Sequence, residues 1–545
     1  MRWPALSLLL LSLLTFGAGL GRQAVTDADE AFYAEASREM VEGGDWLTPH
    51  FNYQYRWQKP VLYYWLTAAT YVVAGPGEAA ARAWSALSGV GLVLLTWAAA
   101  RSAGRGAAWL AGAIVATCFG YFMMARSALP DLPLTFFISA TIWAALRAAD
   151  EGAPHDLRWW ALGGVMAGLG FLTKGPVAFL LPALVLLPIW WRERHTTRVR
   201  PSGALLAVAL ALLVGVPWYA AMTLTHGTAY LESFFVGDNL ERFTTERFNE
   251  SRPFWYYLPI VVGGLLPWSA FAVTLPVPAA LAVARRRAAL TTAEWRLLLW
   301  AAMPLLFYTV SVGQQPRYIL PVLPPIAIAL ATAIAARAEA GGTRLLAAAT
   351  WASVGLFAGC GLLVLRLEAV LTAGVPASRV AVGAIAASTL ALGALALRRA
   401  WRALPVVMTA CAATVLLAVH FGALVSQRPD AVERMASLVR THREGQERLG
   451  PYQVFVRNLV FYTGLPQQDF YDQADAVRFL RSPDRVLLVV RRQDLAGLVE
   501  ASGVPIETLG QVDYVNTANI RLGTFLSPAT SAIRDTVLLV TNRRP

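Results

Sequence analysis

The sequence contains very little lysine and little charge of either sign. Of its 46 Lys and Arg residues only two are lysine, Lys59 in RWQKP and Lys174 in FLTKGP. Charged residues make up 15% of the 545 residues, whereas a soluble chain carries roughly a quarter. Together with 57% hydrophobic residues and a mean hydropathy of +0.50, this deficit excludes an ordinary soluble protein and predicts a polytopic membrane protein.

Cysteine and histidine are scarce as well. Cys118, Cys360 and Cys411 all lie inside apolar stretches, so they offer neither a disulfide framework nor metal-ligand spacing. The six histidines are not clustered, which leaves a histidine-based metal site or catalytic triad without a supporting pattern. The net charge of +12 comes from arginine clusters between apolar segments. We attribute these clusters to orientation in the bilayer and expect no nucleic-acid partner.

Apolar segments long enough to cross a bilayer recur along residues 1–426. They lie near 4–20, 79–100, 107–124, 131–148, 159–173, 175–191, 203–224, 254–276, 297–312, 318–336, 344–366, 379–397 and 404–426. The first resembles a signal peptide, but no cleavage pattern follows it and we predict an uncleaved helix. The sequence therefore predicts an all-α membrane domain with about thirteen transmembrane helices.

The stretch 61–75 (VLYYWLTAATYVVAG) decides the topology. If it does not cross and the amino terminus is inside, the arginine clusters of the membrane part fall on the inner side, as the positive-inside rule requires. We therefore predict that 61–75 is an amphipathic helix on the outer face, within an outer loop over 21–78. This topology also places Lys59, Lys174 and the QQPRY turn at 314–318 on the outer side.

The composition changes after residue 426, where charges become frequent and Pro and Gly punctuate the chain. DAVERMASLVRTHREG and DLAGLVEASG predict helices, and YQVFVRN, RVLLVVRR and DTVLLVTN predict strands. We therefore predict a transmembrane domain over 1–426 and a soluble α/β domain over 427–545 on the outer side.

The outer loop begins with an acidic segment, TDADEAFYAEASREM. The spacing of Asp27 and Glu30 is that of a helix capping box, and this is the simpler interpretation. Asp29 and Glu30 would still lie beside the bilayer, where an acid with a tuned pKa can serve as a general base. Asp27-Ala28-Asp29 also matches the short D-x-D pattern of metal-dependent sugar transferases.

Each polar residue at the outer turns has an ordinary structural interpretation too. Asp131 can cap a helix, Lys174 can snorkel, and Arg317 with Tyr318 can anchor a span at the interface. However, this chain uses Arg for nearly every cation, and Arg would serve snorkelling equally well. A lysine ammonium is a compact point charge that can approach one phosphate oxygen. Lys59 and Lys174 therefore indicate a site for an anionic group, with a lipid phosphate as the obvious candidate.

These residues occur within longer motifs. The segment TDADEAFYAEASREMVEGGDWLTPHFNYQYRWQKPVLYYW resembles the first outer loop of the lipid A aminoarabinose transferases, which belong with the protein O-mannosyltransferases to the GT-C membrane glycosyltransferases. LPDLPLTFF, LTKGP, FFVGDNLERF, RPFWYYLP, RYILPVLPP and VFYTGLP match in the same order.

The resemblance implies a thirteen-span GT-C fold in the bacterial inner membrane, with a periplasmic α/β domain. The implied reaction moves a sugar from a polyprenyl-phosphate donor to a lipid or protein acceptor on the periplasmic side. Asp29 matches the acid that activates the acceptor. Glu30, which follows it beside the bilayer, is a second candidate catalytic acid by its position alone. The implied donor-phosphate residues are Lys59, Lys174 and Tyr318, with Arg317 near them in the topology, and the implied further cavity residues are Tyr33 and Asp131.

The chain departs from the family pattern at three places, and the first is Asp29-Glu30-Ala31-Phe32-Tyr33, where that family has the form D-E-x-R-Y. It has Gln58 where the aminoarabinose transferases commonly have an acid before the lysine, and Asp238-Asn239 where they commonly have Glu-His. The last two changes remove plausible metal ligands and leave the donor sugar open. Because a single phosphate needs less help from a metal than a pyrophosphate, we expect neither a metal nor another cofactor.

We hypothesise an inverting displacement in which the cations stabilise the departing lipid phosphate. Three alternatives remain open: a protein O-glycosyltransferase of the same fold, a transporter of lipid-linked sugar, and an inactive polyprenyl-phosphate binder. Transporters commonly show inverted repeats and helices broken near the midplane, and the sequence predicts neither.

Overall fold

The computed structural model describes residues 2–150, 157–196, 199–246, 252–275, 290–367, 376–424, 428–516, 523 and 533–542, and they are mostly helical. The α-helices before residue 427, leaving out those shorter than one and a half turns, are Arg2–Gly17, Asp29–Gly43, Leu62–Ala74, Glu78–Ala99, Arg105–Ala116, Phe119–Ala125, Asp131–Ala149, Leu157–Lys174, Val177–Arg192, Pro201–His226, Tyr257–Gly264, Thr292–Val310, Leu323–Glu339, Arg344–Leu367, Pro376–Leu397 and Leu404–Val419. A π-helix covers Glu232–Glu241, and a 3₁₀-helix covers Pro316–Val322.

Several of these helices are long and apolar enough to cross a membrane. Over the described residues there are seven, or up to nine if each of two bent pairs forms one span. The prediction of a polytopic helical protein is thus confirmed, whereas the count of about thirteen spans is not. Two of the predicted spans, now Trp3–Gly17 and Val177–Arg192, are apolar but shorter than 18 residues.

Two predicted spans, 107–124 and 254–276, are broken rather than continuous. The first bends by 54° between Ala116 and Phe119, and the second by 108° between Gly264 and Trp268. Pro267 lies at the second break and has no N–H to continue the helical ladder. The breaks face each other, because the Phe119 N–H donates to the Leu266 carbonyl at 2.8 Å. The sequence did not predict these two breaks.

The outer-loop elements form close to their predicted positions. Helix Leu62–Ala74 lies within 61–75, is 13 residues long and is not one of the helices that qualify as spans. A short antiparallel hairpin, β1 (His50–Phe51) and β2 (Gln54–Tyr55), precedes it. The predicted capping box of Asp27 and Glu30 does not form. Instead, the N–H and hydroxyl of Thr26 both donate to Glu30 at 3.0 Å.

The carboxy-terminal part contains a four-stranded sheet with helices on both faces. Its strands are β3 (Arg448–Tyr452), β4 (Val486–Arg491), β5 (Ile506–Val515) and β6 (Arg534–Asn542), in the order β3-β4-β6-β5, and only the β3–β4 pair is parallel. Its helices are Ala431–His442, Leu459–Thr463, Gln473–Leu480 and Arg492–Ser502. Successive residues of β4 alternate between two apolar clusters, so both faces of the sheet are buried.

One predicted strand of this part is misplaced. YQVFVRN (452–458) was expected to be extended, but β3 ends at Tyr452 and the chain then turns. Gln453 and Phe455 have φ of 56° and 55°, values in the left-handed region that a strand cannot contain. This turn carries Arg457 and Asn458 to the outer loop, where the Arg457 N–H donates to Asp27 at 2.7 Å.

Candidate functional site

Four segments meet around Arg317, and their charged side chains form an alternating row. Lys174, at the end of helix Leu157–Lys174, donates to Asp131 at 2.5 Å. Arg317 lies 3.2 Å from the other Asp131 oxygen and also donates to Asp29, at the start of helix Asp29–Gly43. The side chain of Asp131 is 4% exposed. Its carboxylate forms ion pairs with these two cations and does not cap its own helix. The row therefore runs Asp29, Arg317, Asp131, Lys174.

Lys59 belongs to a second group of charges next to this row. Its ammonium lies 3.4 Å from Asp238, and Arg242 lies 3.1 Å from the same carboxylate oxygen. Asp238 is in the π-helix Glu232–Glu241, a rare conformation that is frequent at functional sites. The positive charge of Lys174 is near enough to repel that of Lys59, so the two ammonium groups lie in the same region of the protein.

Aromatic residues connect and line the two groups. The ammonium of Lys174 lies 4.3 Å from the centre of the Tyr318 ring, a cation–π contact. Tyr318 also acts electrostatically on Arg242, so it lies near both the Lys174 row and the Lys59 group. Tyr33, which was predicted as a cavity residue, is buried, and its ring stacks on that of Tyr64 with the ring centres 5.3 Å apart.

Glu30 lies away from this site, although it is the neighbour of Asp29. It is 3% exposed and forms a two-oxygen pair with Arg82 at 2.7 and 3.1 Å. It also accepts from the Ala128 N–H at 2.8 Å and from Thr26. Every oxygen of this carboxylate is occupied, so the structure favours a structural role for Glu30 and leaves Asp29 as the one available acid of the pair.

The local charges shift the pKa of two site residues. Burial acts to raise the pKa of Asp29, but the charge and hydrogen bond of Arg317, with Arg457 and Arg56 further away, outweigh it and the pKa lies below its usual value. Burial lowers the pKa of Lys59 to about 8, opposed by Asp238 and assisted by the neighbouring cations. At neutral pH the site thus holds a carboxylate and an ammonium that deprotonates unusually easily.

Sequence reasoning did not identify Asp238, Arg242 and Arg56 as site residues. A signal for the first two was present, because they lie four residues apart in FFVGDNLERF, the spacing that pairs side chains on a helix. Arg56 is three residues before Lys59 and donates to the Tyr64 hydroxyl at 3.0 Å. Among the described residues, no group of three His, Cys, Asp or Glu side chains is arranged to hold a metal ion.

Comparison with known proteins relates the chain to membrane glycosyltransferases. Residues 4–226 match the family model described as dolichyl-phosphate-mannose-protein mannosyltransferase. An undecaprenyl phosphate-α-4-amino-4-deoxy-L-arabinose arabinosyl transferase of Pseudomonas aeruginosa is 36% identical over 343 residues, and one of Proteus mirabilis is 31% identical over 331 residues. The first alignment covers 61% of this chain and 60% of that relative, and the second covers 60% and 58%. The matched region therefore spans about 60% of these relatives.

Solved structures extend the similarity to nearly the whole chain, at the level of fold alone. ArnT from Cupriavidus metallidurans, solved with bound undecaprenyl phosphate, superposes with a TM-score of 0.72 at 22% identity, covering 98% of this chain and 97% of that one. The Archaeoglobus fulgidus oligosaccharyltransferase gives 0.54 at 12% identity, covering 94% and 70%. The chain therefore has the GT-C fold and resembles the arabinosyl transferases and protein mannosyltransferases in sequence, which confirms the resemblance drawn from its motifs.

Proposed function

We propose that the protein is an integral-membrane glycosyltransferase that moves a sugar from a polyprenyl-phosphate donor to an envelope acceptor. The observation that carries this proposal is the alternating charge row, in which Arg317 pairs with both Asp29 and Asp131, and Asp131 also pairs with Lys174. The names of the arabinosyl transferases, with undecaprenyl phosphate as sugar carrier, supply the donor class.

The donor phosphate would lie among Lys59, Lys174, Arg242 and Arg317, with Tyr318 donating a hydrogen bond. In an inverting displacement an acceptor oxygen bonds to the anomeric carbon while the bond from that carbon to the phosphate oxygen breaks. The bonding electrons go to the phosphate, whose charge grows from −1 to −2. Cations that are already in place stabilise this growing charge, and removing one such group costs about 3–4 kcal/mol of activation free energy.

Asp29 lies at the other end of the row and would act on the acceptor. It would take the proton of an acceptor hydroxyl, or orient an acceptor that is already an anion. Its lowered pKa makes it a weak base, so the second role fits better. Tyr33 and Asp131 would shape the cavity between donor and acceptor.

The proposal also specifies the membrane face on which the site lies and the acceptors of the sugar. The site would lie on the periplasmic face of the bacterial inner membrane, with residues 427–545 forming a periplasmic α/β domain. A lipid, with lipid A as the type suggested by the motifs, is the favoured acceptor. A protein acceptor is the second candidate, because residues 4–226 match a protein mannosyltransferase family.

A transfer assay tests the reaction. Membranes containing the full chain would be given radiolabelled polyprenyl-phosphate sugars, and the Asp29→Asn, Lys59→Ala and Lys174→Ala variants would be compared with the exposed-surface variant Arg478→Ala. We expect each of the three site variants to lose about 100-fold or more of the transfer rate, and Arg478→Ala to lose none. Near-normal transfer in all three would contradict the assignment.

Mass spectrometry of the envelope of a deletion strain separates the two acceptor classes. A sugar missing from glycolipids supports the lipid acceptor, and a sugar missing from glycoproteins supports the protein acceptor.

A further inference from the structure

The segment just before helix Asp29–Gly43 is held by the carboxy-terminal sheet and its helices, which we call the sheet unit. The Val25 N–H donates to the Tyr462 hydroxyl at 2.8 Å, and the Val25 carbonyl accepts from the Asn458 amide at 2.9 Å. Ala24 is 6% exposed and packs in one of the apolar clusters of the sheet unit. This end of the outer loop therefore belongs to the sheet unit by its contacts, although 437 residues separate Val25 from Tyr462 in the sequence.

Asp27 and Phe32 form contacts with the sheet unit on both sides of Asp29. The carboxylate of Asp27 accepts from the Arg457 N–H at 2.7 Å, and the guanidinium carbon of Arg457 lies 5.2 Å from the centre of the Phe32 ring. Asp27 comes two residues before Asp29, and Phe32 comes three residues after it. The turn after β3, which carries Arg457, thus contacts the chain immediately before and immediately after Asp29.

The start of this helix is fixed without a side-chain cap. Ala28, at the cap position, has a methyl side chain that accepts no hydrogen bond from the first turn. A side-chain cap normally fixes the backbone where a helix begins. Here the bonds from Val25 and Asp27 to the sheet unit fix it instead. The bonds from Thr26 to Glu30 hold the same segment to the helix itself.

Asp29 depends on this segment for its position. Its side chain is 43% exposed, and its one ion-pair partner among the described residues is Arg317, which comes from a distant part of the sequence. Because so much of the side chain is exposed, the backbone at the start of the helix decides where the carboxylate lies. A shift of about 1 Å in a reacting group can lower a rate about 100-fold, even when the change that causes it is far from the chemistry.

We propose that Asp27 and Tyr462 are positioning residues, which hold the start of helix Asp29–Gly43 so that Asp29 meets the acceptor. The sheet unit then contributes to sugar transfer without placing a side chain in the charge row. The first acid of the D-x-D pattern acts as a hydrogen-bond acceptor, and not as a second base or a metal ligand. The inference rests on the proposed function, in which Asp29 acts on the acceptor.

Two substitutions of Asp27 test its role, because asparagine keeps an oxygen for the Arg457 N–H and alanine does not. The transfer rate at saturating donor would be measured in membranes that contain the full chain and are given radiolabelled polyprenyl-phosphate sugar. We expect Asp27→Ala to lower this rate about 10- to 100-fold and Asp27→Asn to lower it less than about threefold. The affinity of the purified full chain for polyprenyl phosphate should change less than about twofold in both variants. Rescue by asparagine with an unchanged donor affinity distinguishes positioning from a base and from a general loss of structure.

Tyr462→Phe tests the second positioning residue. It removes the hydroxyl that accepts from Val25 and donates to Glu78 at 2.9 Å, and we expect it to lower the transfer rate about tenfold. Its matched control is Tyr471→Phe, which changes a 53% exposed tyrosine of the sheet unit and should leave the rate unchanged. If Tyr462→Phe fails to fold, the two Asp27 variants decide the matter, because Asp27 is exposed.

A second contact between the outer loop and the sheet unit provides a control for the interface as a whole. At the tip of the hairpin, Asn52 donates to the Gln467 carbonyl at 2.7 Å and accepts from the Gln467 N–H at 2.9 Å. These bonds lie beyond the opposite end of helix Asp29–Gly43. Asn52→Ala should therefore weaken the interface and yet lower the transfer rate less than about threefold.

The inference is overturned if Asp27→Ala transfers sugar at the wild-type rate, or if Asp27→Asn loses as much as Asp27→Ala, since Asp27 would then act as an acid. It is also overturned if Asn52→Ala costs as much as Asp27→Ala, or if the Asp27 variants weaken donor binding as much as they slow transfer. Failure of the proposed function would look different: Asp29→Asn would then transfer sugar at a near-normal rate, whatever the Asp27 variants do.

Discussion

Asp29 and Glu30 are consecutive acids on one helix, and they lie in opposite environments. The side chain of Glu30 is 4% exposed and its two oxygens accept from Arg82, Thr26 and Ala128. The side chain of Asp29 is 43% exposed and pairs with Arg317. We call the hydrogen bonds around Glu30 the closed network, because groups of the chain itself occupy both carboxylate oxygens. We call the charge row that ends at Asp29 the open network, because this end of the row is partly exposed.

This difference in partners distinguishes an acid that stabilises the fold from an acid that can bind a substrate. A buried acid whose acceptor positions are all filled holds the outer loop to helix Glu78–Ala99 through Arg82 and has nothing left for a substrate. A partly exposed acid at the end of a row of paired cations can exchange its partner for a ligand. The two acids are adjacent in the same sequence motif. Only the residues that they pair with in the structure distinguish their roles.

The largest expected effect comes from breaking the closed network. Glu30→Gln leaves the buried Arg82 charge without its carboxylate, and loss of one partner of a buried pair costs about 3–5 kcal/mol. We expect the variant to unfold at markedly lower temperature or to fail to accumulate, as measured by thermal unfolding in detergent. Glu42→Gln, which removes a 50% exposed partner of Arg38 on the same helix, is the control and should cost less than about 1 kcal/mol.

Breaking the open network should affect catalysis instead of folding. In Lys174→Ala, Asp131 keeps Arg317 as a partner, so stability should change little. The lost ammonium should lower kcat for sugar transfer by about 100- to 1,000-fold, whereas Lys174→Arg should retain part of the rate. A kcat within threefold of the wild type would mean that the row does not stabilise the leaving phosphate.

The low pKa of Lys59 predicts a pH dependence of donor binding. Since that pKa is about 8, the ammonium is lost above pH 8 and the affinity for polyprenyl phosphate should fall about five- to tenfold between pH 7 and 9. Lys59→Arg, which stays charged, should flatten this profile. In folding the sign is opposite: the unfolded state binds more protons between pH 8 and 10.5, so this group adds stability as pH rises through that window. Equal profiles for wild type and Lys59→Arg would contradict the shift.

A smaller effect is expected at Glu39, near the carboxy-terminal end of helix Asp29–Gly43. Burial and the neighbouring Glu35 raise the pKa of Glu39 to about 8. The folded protein therefore retains a proton that the unfolded chain releases above its usual pKa of 4.5, so the stability from this group is lost as pH rises from 4.5 through 8. Glu39→Gln should remove this loss. If the melting temperatures of the wild type and Glu39→Gln change in parallel between pH 5 and 9, the raised pKa of Glu39 is contradicted.

The sequence predicted much of the site because the polar residues stand out against an apolar chain. The topology predicts that Lys59, Lys174, Asp131 and Arg317 lie on the same side, and the structure brings Lys174 and Arg317 into contact with Asp131. Lys59 pairs instead with Asp238. Their catalytic roles remain predictions. Asp238 was noted only as a departure from the family pattern, although its spacing to Arg242 signalled a pair.

Other features depend on tertiary contacts that no local pattern contains. Hydropathy windows cannot detect the breaks at Thr117 and Pro267, since apolar residues continue on both sides. The turn at 453–458 has the β-branched and aromatic residues of a strand, yet two left-handed residues redirect it. The position of Arg457 beside Phe32 follows from that turn, and nothing in its neighbourhood in the sequence indicates it.

The most direct test of the account measures folding and transfer together in Asp29→Asn. This variant should melt within a few degrees of the wild type, because the acid is 43% exposed, while the rate of transfer from polyprenyl-phosphate sugar falls by about 100-fold or more. A stable Asp29→Asn protein with near wild-type transfer would contradict the claim that the open network is the active site.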